Sequence, residues 1–276
     1  MRRVAHVSDL HFGRSDPVVV AAIEQDLHDQ RADVVVVSGD LTQRARRRQF
    51  DAARRFLDGL GIPWTAVPGN HDIPLWDVAR RAIDPFGRYR RRILQDLEPA
   101  FLDDELALLG LNTVMPSLWK EGAVRRASLL RLQRWSVEAG ERARIVFAHH
   151  PFTRAAASSG GGSGPVRRWR QALAVMEAAG VDVVLTGHHH LLGHSETHEH
   201  VVGGPRRLII VRAGTSTSHR RRGEPNGYTV LHVGADRITV EGRACIEGRF
   251  VQATRHGYRR IPWRDLHEEG PAPPLR

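Results

Sequence analysis

The stretch Asp33-Val34-Val35-Val36-Val37-Ser38 is apolar at four consecutive positions, with none of the alternation of a strand that has one face in water. A strand that is apolar throughout must be covered on both faces, which calls for a sheet with parallel strands and helices packed over it. Similar runs recur at residues 4–8, 64–67, 107–112, 144–148, 181–186 and 208–213, and residues 17–29 and 46–59 between the early ones carry amphipathic helical patterns. The chain therefore reads as α/β, with one principal domain over residues 1–245 and an extension over 246–276. Within the domain, residues 73–100 read as an inserted, mostly helical arm. Residues 158–164 (SSGGGSG) read as a flexible loop, and residues 224–244 as a terminal strand pair.

Composition narrows the setting. No apolar run approaches membrane-spanning length, the start MRRVAHVSDLHF lacks the apolar core of a secretion signal, and Cys245, the single cysteine, cannot form an internal disulfide. A cytoplasmic protein is the expectation. The net charge of +10 comes from forty arginines and one lysine, Lys120. Their short runs at residues 46–48, 90–92 and 220–222 lack the interleaved aromatics of a single-strand binder. A nucleic-acid partner is therefore disfavoured, and the sequence leaves the oligomeric state open.

The polar residues fall where the apolar runs stop. The first run ends in Ser8-Asp9-Leu10-His11, the second in Ser38-Gly39-Asp40, the third in Gly69-Asn70-His71-Asp72. Two later ones end in His149-His150-Pro151 and Gly187-His188-His189-His190. Carboxyl ends of strands in an open α/β sheet face one crevice, so these residues converge. Two carboxylates there repel each other unless cations are present, and cations also turn imidazole lone pairs into ligands. Asp9, His11, Asp40, Asn70, His149, His188 and His190 give seven donors. That is too many for one zinc and suits two ions, with Asp40 as the candidate bridge. Read as extended segments, Asp9-x-His11 and His188-x-His190 would each point both side chains one way. Taken singly, each of these motifs except the triple histidine is an ordinary strand-end feature; their common order and chemistry are not.

The ordered set DLH, GD, GNHD, HH and GHHH resembles the calcineurin-like metallophosphoesterase superfamily over residues 9–190. The resemblance implies a four-layer α-β-β-α sandwich with a two-metal site at the carboxyl ends of the strands. The contexts SDLHFG, SGDLTQRA and PGNHDIPL are most similar to the bacterial cyclic-nucleotide phosphodiesterase branch, as is the late stretch 213–228. Carried over by position, Asp9, His11 and His190 would hold the first ion and Asn70, His149 and His188 the second, with Asp40 between them. Gly69 would let the chain turn, His71 would face the substrate as a catalytic residue, and Asp72 would orient and charge it. Asn70, His71, Arg220, Arg221 and Arg222 would contact the substrate. His150 would stand behind the ligands, His189 would point away, and His194, His198 and His200 would lie in solvent.

Mixed nitrogen and oxygen ligation suits two divalent manganese or iron ions, or zinc, better than magnesium. Such a pair, about 3.5–4 Å apart, acidifies a shared water and clamps the phosphoryl oxygens, so that the bridging hydroxide attacks phosphorus in line. The expected function is hydrolysis of cyclic nucleotides or other small phosphodiesters. Phosphomonoesterase, pyrophosphatase and repair nuclease are the alternatives within the superfamily, and a non-catalytic scaffold like its retromer subunit is disfavoured by the complete ligand set. GDLTQRA departs from the GDxVDRG of the superfamily's protein phosphatases, which argues against phosphoprotein substrates.

Overall fold

A computed structural model describes residues 1–153, 164–190, 193–196, 208–220 and 223–261. The stretch 158–163, together with Arg221, Arg222, His198 and His200, lies outside the described residues. The chain begins with three parallel strands, β1 (Arg2–Val7), β2 (Val34–Val37) and β3 (Trp64–Ala66), connected by α1 (Pro17–Asp29) and α2 (Arg47–Gly59). Helix α1 starts where it does because the Asp16 side chain accepts from the Val18 amide at 3.0 Å and Pro17 occupies the first helical position.

Two short helices follow, α3 (Val78–Ile83) and α4 (Gly87–Arg92), then β4 (Ala100–Leu102), β5 (Leu106–Leu111), α5 (Arg126–Ala139) and β6 (Ala143–Ala148). The chain continues through α6 (Trp169–Ala178), β7 (Val183–Thr186), β8 (Gly193–Glu196) and β9 (Ile209–Arg212). It closes with β10 (Gly227–Val233), β11 (Arg237–Ile246) and β12 (Arg249–Arg259). One sheet has the order β12-β11-β10-β1-β2-β3 and the other β4-β5-β6-β7-β9-β8. The first is parallel from β1 to its β3 edge and antiparallel from β1 to its β12 edge, and the second has a parallel centre and antiparallel flanks.

The layering follows from which residues share a core. Val4, Val34 and Val36 of the first sheet pack with Leu108, Ile145 and Leu185 of the second, so the sheets lie face to face. On the outer face of the first sheet, Ala5, Val7 and Val35 meet Ile23 and Leu27 of α1 and Phe50 and Leu57 of α2. Beyond the second sheet, Leu109, Val146 and Val184 meet Leu132 of α5 and Leu173 of α6. The architecture is α-β-β-α. It explains why Val34–Val37 is apolar at every position: alternate residues enter two different cores, each buried side chain contributing about 1.5–3 kcal/mol.

Two expected boundaries change. Residues 249–259, expected in an extension, form the edge strand of the first sheet, so a boundary at 245 would cut the β11–β12 hairpin. Asp26 of α1 pins that hairpin, because its carboxylate accepts from Arg243 Nη2 at 2.7 Å and from Tyr228 Oη at 2.5 Å. The expected arm at 73–100 is helical only over two six-residue segments separated by Asp84-Pro85. It is also packed in: Tyr89 is fully buried in the α2 core and donates to the Ala66 carbonyl at 2.8 Å. Pro85 has no amide to continue α3, and the Tyr89 contact anchors α4.

Candidate metal centre

The strand ends converge as their order requires. Asp9 and His11 leave β1, Asp40 leaves β2, Asn70 to Asp72 follow β3 as a turn of 3-10 helix, His149 and His150 leave β6, and His188 to His190 leave β7. His11 Nε2 lies 3.5 Å from Asp9 Oδ1, and His190 Nε2 lies 3.7 Å from the same oxygen. A second group forms where His149 Nε2 stands 3.1 Å from Asn70 Oδ1 and 3.2 Å from His188 Nδ1. Asp40 spans the two, with Oδ2 3.6 Å from His11 Nε2 and Oδ1 3.5 Å from His149 Nε2.

These donors fit cations. Asp9 and His11 are fully buried, yet Asp9 Oδ1 and both ring nitrogens of His11 have no hydrogen-bond partner among the described residues. A buried polar atom without a partner costs about 1–3 kcal/mol, and here Asp9 Oδ1 and His11 Nε2 face each other at 3.5 Å. Asp9, His11 and His190 form one set of ligand atoms within 4.8 Å of each other, and Asp9, Asp40 and His149 form another.

Electrostatics agree. Burial opposes ionisation of Asp9, but His190, His11 and His149 outweigh it and hold the carboxyl well below the usual range. Asp40 is lowered in the same way, against burial, chiefly by His149 and His71. Burial, with His150 and His149 beside it, keeps His188 well below the ordinary imidazole value. His149 goes the other way, raised against burial by Asp40 and Asp9; ligation needs such rings to give up the proton while the carboxylates stay ionised.

Backbone geometry supplies a feature that the sequence concealed. Asp9, His11, Asp40, His188 and His190 all have positive φ, between 47° and 74°. Asp9-x-His11 and His188-x-His190 are therefore not extended pairs. Each aims both side chains at the pocket through left-handed turns, a conformation that asparagine, aspartate and histidine enter more readily than most and that clusters at functional sites. Nor does Gly69 serve the turn, because its φ of −104° and ψ of 177° are open to any residue. Its role is clearance: a Cβ there would stand 2.2 Å from Asp40 Oδ1 and 2.3 Å from the Asp40 amide nitrogen.

Asp72 does not orient His71. Its buried carboxylate accepts from the amides of Leu41, Thr42 and Gly69 at 2.8–3.1 Å and from Thr42 Oγ1 at 2.9 Å. Those bonds tie the turn carrying Asp40 to the turn carrying Asn70, and they leave nothing for the imidazole. His71 Nδ1 instead meets the Gln43 carbonyl at 2.9 Å, and its Nε2 meets Arg220 Nη1 at 3.0 Å. A carbonyl can only accept, so Nδ1 carries the proton and Nε2 accepts from Arg220.

Other supporting residues went unread in the sequence. Ser8 Oγ donates to Asp9 Oδ2 at 2.8 Å, the Ser38 carbonyl accepts from His149 Nδ1 at 2.9 Å, and Thr215 Oγ1 pairs with His190 Nδ1. Such partners fix ring orientation in metal sites. Their adjacency to Asp9 and Asp40 was the available signal for Ser8 and Ser38. His150 is buried, with Nδ1 2.8 Å from Thr113 Oγ1, but its ring lies within 4.9 Å of those of His149 and His188. His189 is buried, and His194 is half-buried with Nδ1 2.6 Å from Tyr258 Oη, so it is not a solvent histidine.

Over 166 residues the chain is 28% identical to the glycerophosphodiester phosphodiesterase GpdQ of Enterobacter lignolyticus, covering 54% of this chain and 56% of that protein. In fold it is similar to the purple acid phosphatase PPD1 from yellow lupin (Lupinus luteus) seeds, with a TM-score of 0.72, 15% identity, and coverage of 96% of this chain and 55% of that one. A dimetal phosphatase from Danio rerio gives a TM-score of 0.63 at 13% identity, covering 91% of this chain and 98% of the other. The sequence model of the calcineurin-like phosphoesterases matches residues 2–192, a span holding all seven convergent donors. Carrying that match on a double sheet with the donors at its strand ends, the chain belongs to the calcineurin-like phosphoesterase family.

Proposed function

We propose that this phosphoesterase is a binuclear metal-dependent phosphodiesterase acting on small phosphodiesters, with cyclic nucleotides the leading class and glycerophosphodiesters beside them. The two-ion reading rests on Asp40, whose two carboxylate oxygens face different donor groups. The diester reading is supported by the relative named a glycerophosphodiester phosphodiesterase and by GDLTQRA in place of the protein-phosphatase motif. Asp9, His11 and His190 would hold one ion, Asn70, His149 and His188 the other, and Asp40 both. Bound there, divalent manganese, iron or zinc would supply Lewis acidity to a water nucleophile and to the phosphoryl oxygens.

The chain's own residues do the rest. The His71 amide donates to Asp40 Oδ1 at 2.8 Å and fixes the carboxylate between the two groups. The Gln43 carbonyl fixes the His71 tautomer, and Nε2 in turn holds the Arg220 guanidinium. Arg220 then donates to a phosphoryl oxygen. Burial, only partly offset by Asp40, keeps His71 below its ordinary value, so the ring acts neutral and positions Arg220 rather than donating a proton as a cation. Among the described residues no helix is long and apolar enough to cross a membrane; with its lone cysteine, the protein fits a reducing, cytoplasmic setting.

The test is a substrate panel on metal-defined protein, with elemental analysis. Two transition-metal ions per chain are expected, with hydrolysis of bis-p-nitrophenyl phosphate and of at least one cyclic nucleotide or glycerophosphodiester, and with loss of activity in Asp40→Ala. No more than one ion at saturation would overturn the binuclear reading. A higher kcat/KM for phosphomonoesters than for every diester would overturn the substrate class.

A further inference from the structure

Arg44, Arg88 and Arg220 are partly buried and, like Arg3 and Arg125 with their carbonyl contacts, lack a carboxylate partner among the described residues. Arg2, Arg243 and Arg260 each meet a carboxylate, at 3.3 Å to Asp33, 2.7 Å to Asp26 and 3.4 Å to Asp182. Arg81 has no carboxylate, but it spends its donors on the carbonyls of Pro74, Pro116 and Leu118 and stacks 5.0 Å from the Trp119 ring. By contrast, no ion pair is formed by Arg44, Arg88 or Arg220 among the described residues. Arg44 Nη1 touches the Gln43 carbonyl at 3.3 Å, Arg88 Nη1 the Ala45 carbonyl at 2.9 Å, and Arg220 Nη1 the His71 ring. A guanidinium has five N–H donors, so most of theirs remain for something else, and Arg88 Nε is buried without a partner.

Their placement is directional. Arg220 approaches His71 at Nε2, and Arg44 Nη1 stands 3.4 Å from Nδ1 of the same ring. The His71 ring in turn lies 4.9 Å, centroid to centroid, from that of His11. From Arg44 the line continues along residues 43–45 to Arg88. Burial, and then the charges of Arg80 and Arg47, push the Arg88 pKa down, with Asp77 offsetting only part of this. Guanidinium forks favour phosphate.

We propose that Arg44 and Arg88 form a subsite for a second phosphate of the substrate, next to the phosphoryl group that is cleaved. The substrate is then a small phosphodiester carrying another phosphate on one arm, such as a phosphorylated nucleotide ester. This rests on the diesterase reading for the cleaved group. It goes beyond that reading in assigning a second anion and the residues that bind it.

The test is isothermal titration of the metal-loaded protein at low ionic strength with thymidine 3′,5′-bisphosphate and thymidine 5′-phosphate, which differ only in the second phosphate. The bisphosphate is expected to bind about tenfold more tightly, the scale of one or two charge-assisted hydrogen bonds. Arg44→Ala and Arg88→Ala should each shrink that ratio roughly threefold or more, and Arg88→Lys should keep most of it. Arg91→Ala, at an exposed arginine facing Asp84, should leave it unchanged. Equal affinities in the wild type, or an unaltered ratio in both alanine variants with native circular dichroism, would overturn the subsite.

Should an alanine variant fail to fold, the wild-type ratio and Arg88→Lys still decide. The p-nitrophenyl esters of thymidine 5′-phosphate, with and without a 3′-phosphate, separate the two proposals. If neither is hydrolysed the diesterase reading falls, while the affinity ratio still judges the subsite. Binding of oligothymidylate more than tenfold tighter than the bisphosphate, with cleavage, would overturn the small-molecule assignment in favour of a strand.

Discussion

Gly69→Ala is the most direct probe of how the centre is built. Ordinary carbon contacts begin near 3.4 Å, and the new Cβ would sit 2.2 Å from Asp40 Oδ1, 2.3 Å from Asp40 N and 2.8 Å from Asp40 Cγ. Rotating the Asp40 side chain cannot relieve this, because its backbone nitrogen collides as well. The turns carrying Asp40 and Asn70 must separate by about 1 Å, and Asp72, which bonds the amides of Leu41, Thr42 and Gly69, resists that movement. Overpacking of this kind costs about 1–3 kcal/mol. For a chain this size that lowers Tm by roughly 2–4 °C per kcal/mol. A 1 Å misplacement at the reacting groups costs about a hundredfold in rate. The assay is kcat/KM on bis-p-nitrophenyl phosphate at saturating manganese, with metal content and Tm measured on the same sample. Gly59→Ala is the control, since its Cβ meets nothing within 4 Å and its φ is ordinary; it should be neutral or slightly stabilising. A Gly69→Ala protein with two bound ions and kcat/KM within threefold of wild type would refute the clearance argument.

Three further outcomes are expected. Asp72→Asn should lower turnover of a cyclic nucleotide and of a p-nitrophenyl diester by similar factors, because its carboxylate braces two turns rather than His71; a loss confined to the cyclic nucleotide would restore an orienting role. Arg243→Ala leaves the buried Asp26 and Glu241 carboxylates without their shared cation and should destabilise the fold by about 3–5 kcal/mol, read as a Tm lower by roughly 10 °C with metal content unchanged, while an unmoved Tm would show the network to be dispensable. Chelation should lower Tm, and added manganese should restore it in a concentration-dependent way; a melting curve indifferent to metal would contradict the fit of the orphaned donors on Asp9 and His11.

Sequence alone determined the doubly covered parallel sheet and the convergence. Val34–Val37 had to be buried on both faces, though a second sheet over one of them was implied only by the family resemblance, and polar residues at the carboxyl ends of successive strands had to gather at one edge, because parallel strands end together. The donor set Asp9, His11, Asp40, Asn70, His149, His188 and His190 followed from that placement. Local rules stopped at the backbone of the turns. An extended reading of Asp9-x-His11 and a turning role for Gly69 were both reasonable from residue type. The left-handed angles belong to the packed turns, and the close approach of Asp40 to Gly69 follows from the pairing of β2 with β3 in one sheet. Likewise, which oxygen or nitrogen faces His71 depends on segments more than a hundred residues apart. Asp72 is its neighbour in sequence, yet its carboxylate is taken by the backbone of residues 41, 42 and 69, while Gln43 and Arg220 reach the ring. Adjacency along the chain fixed the inventory; hydrogen bonds and excluded volume in the packed molecule assigned the partners.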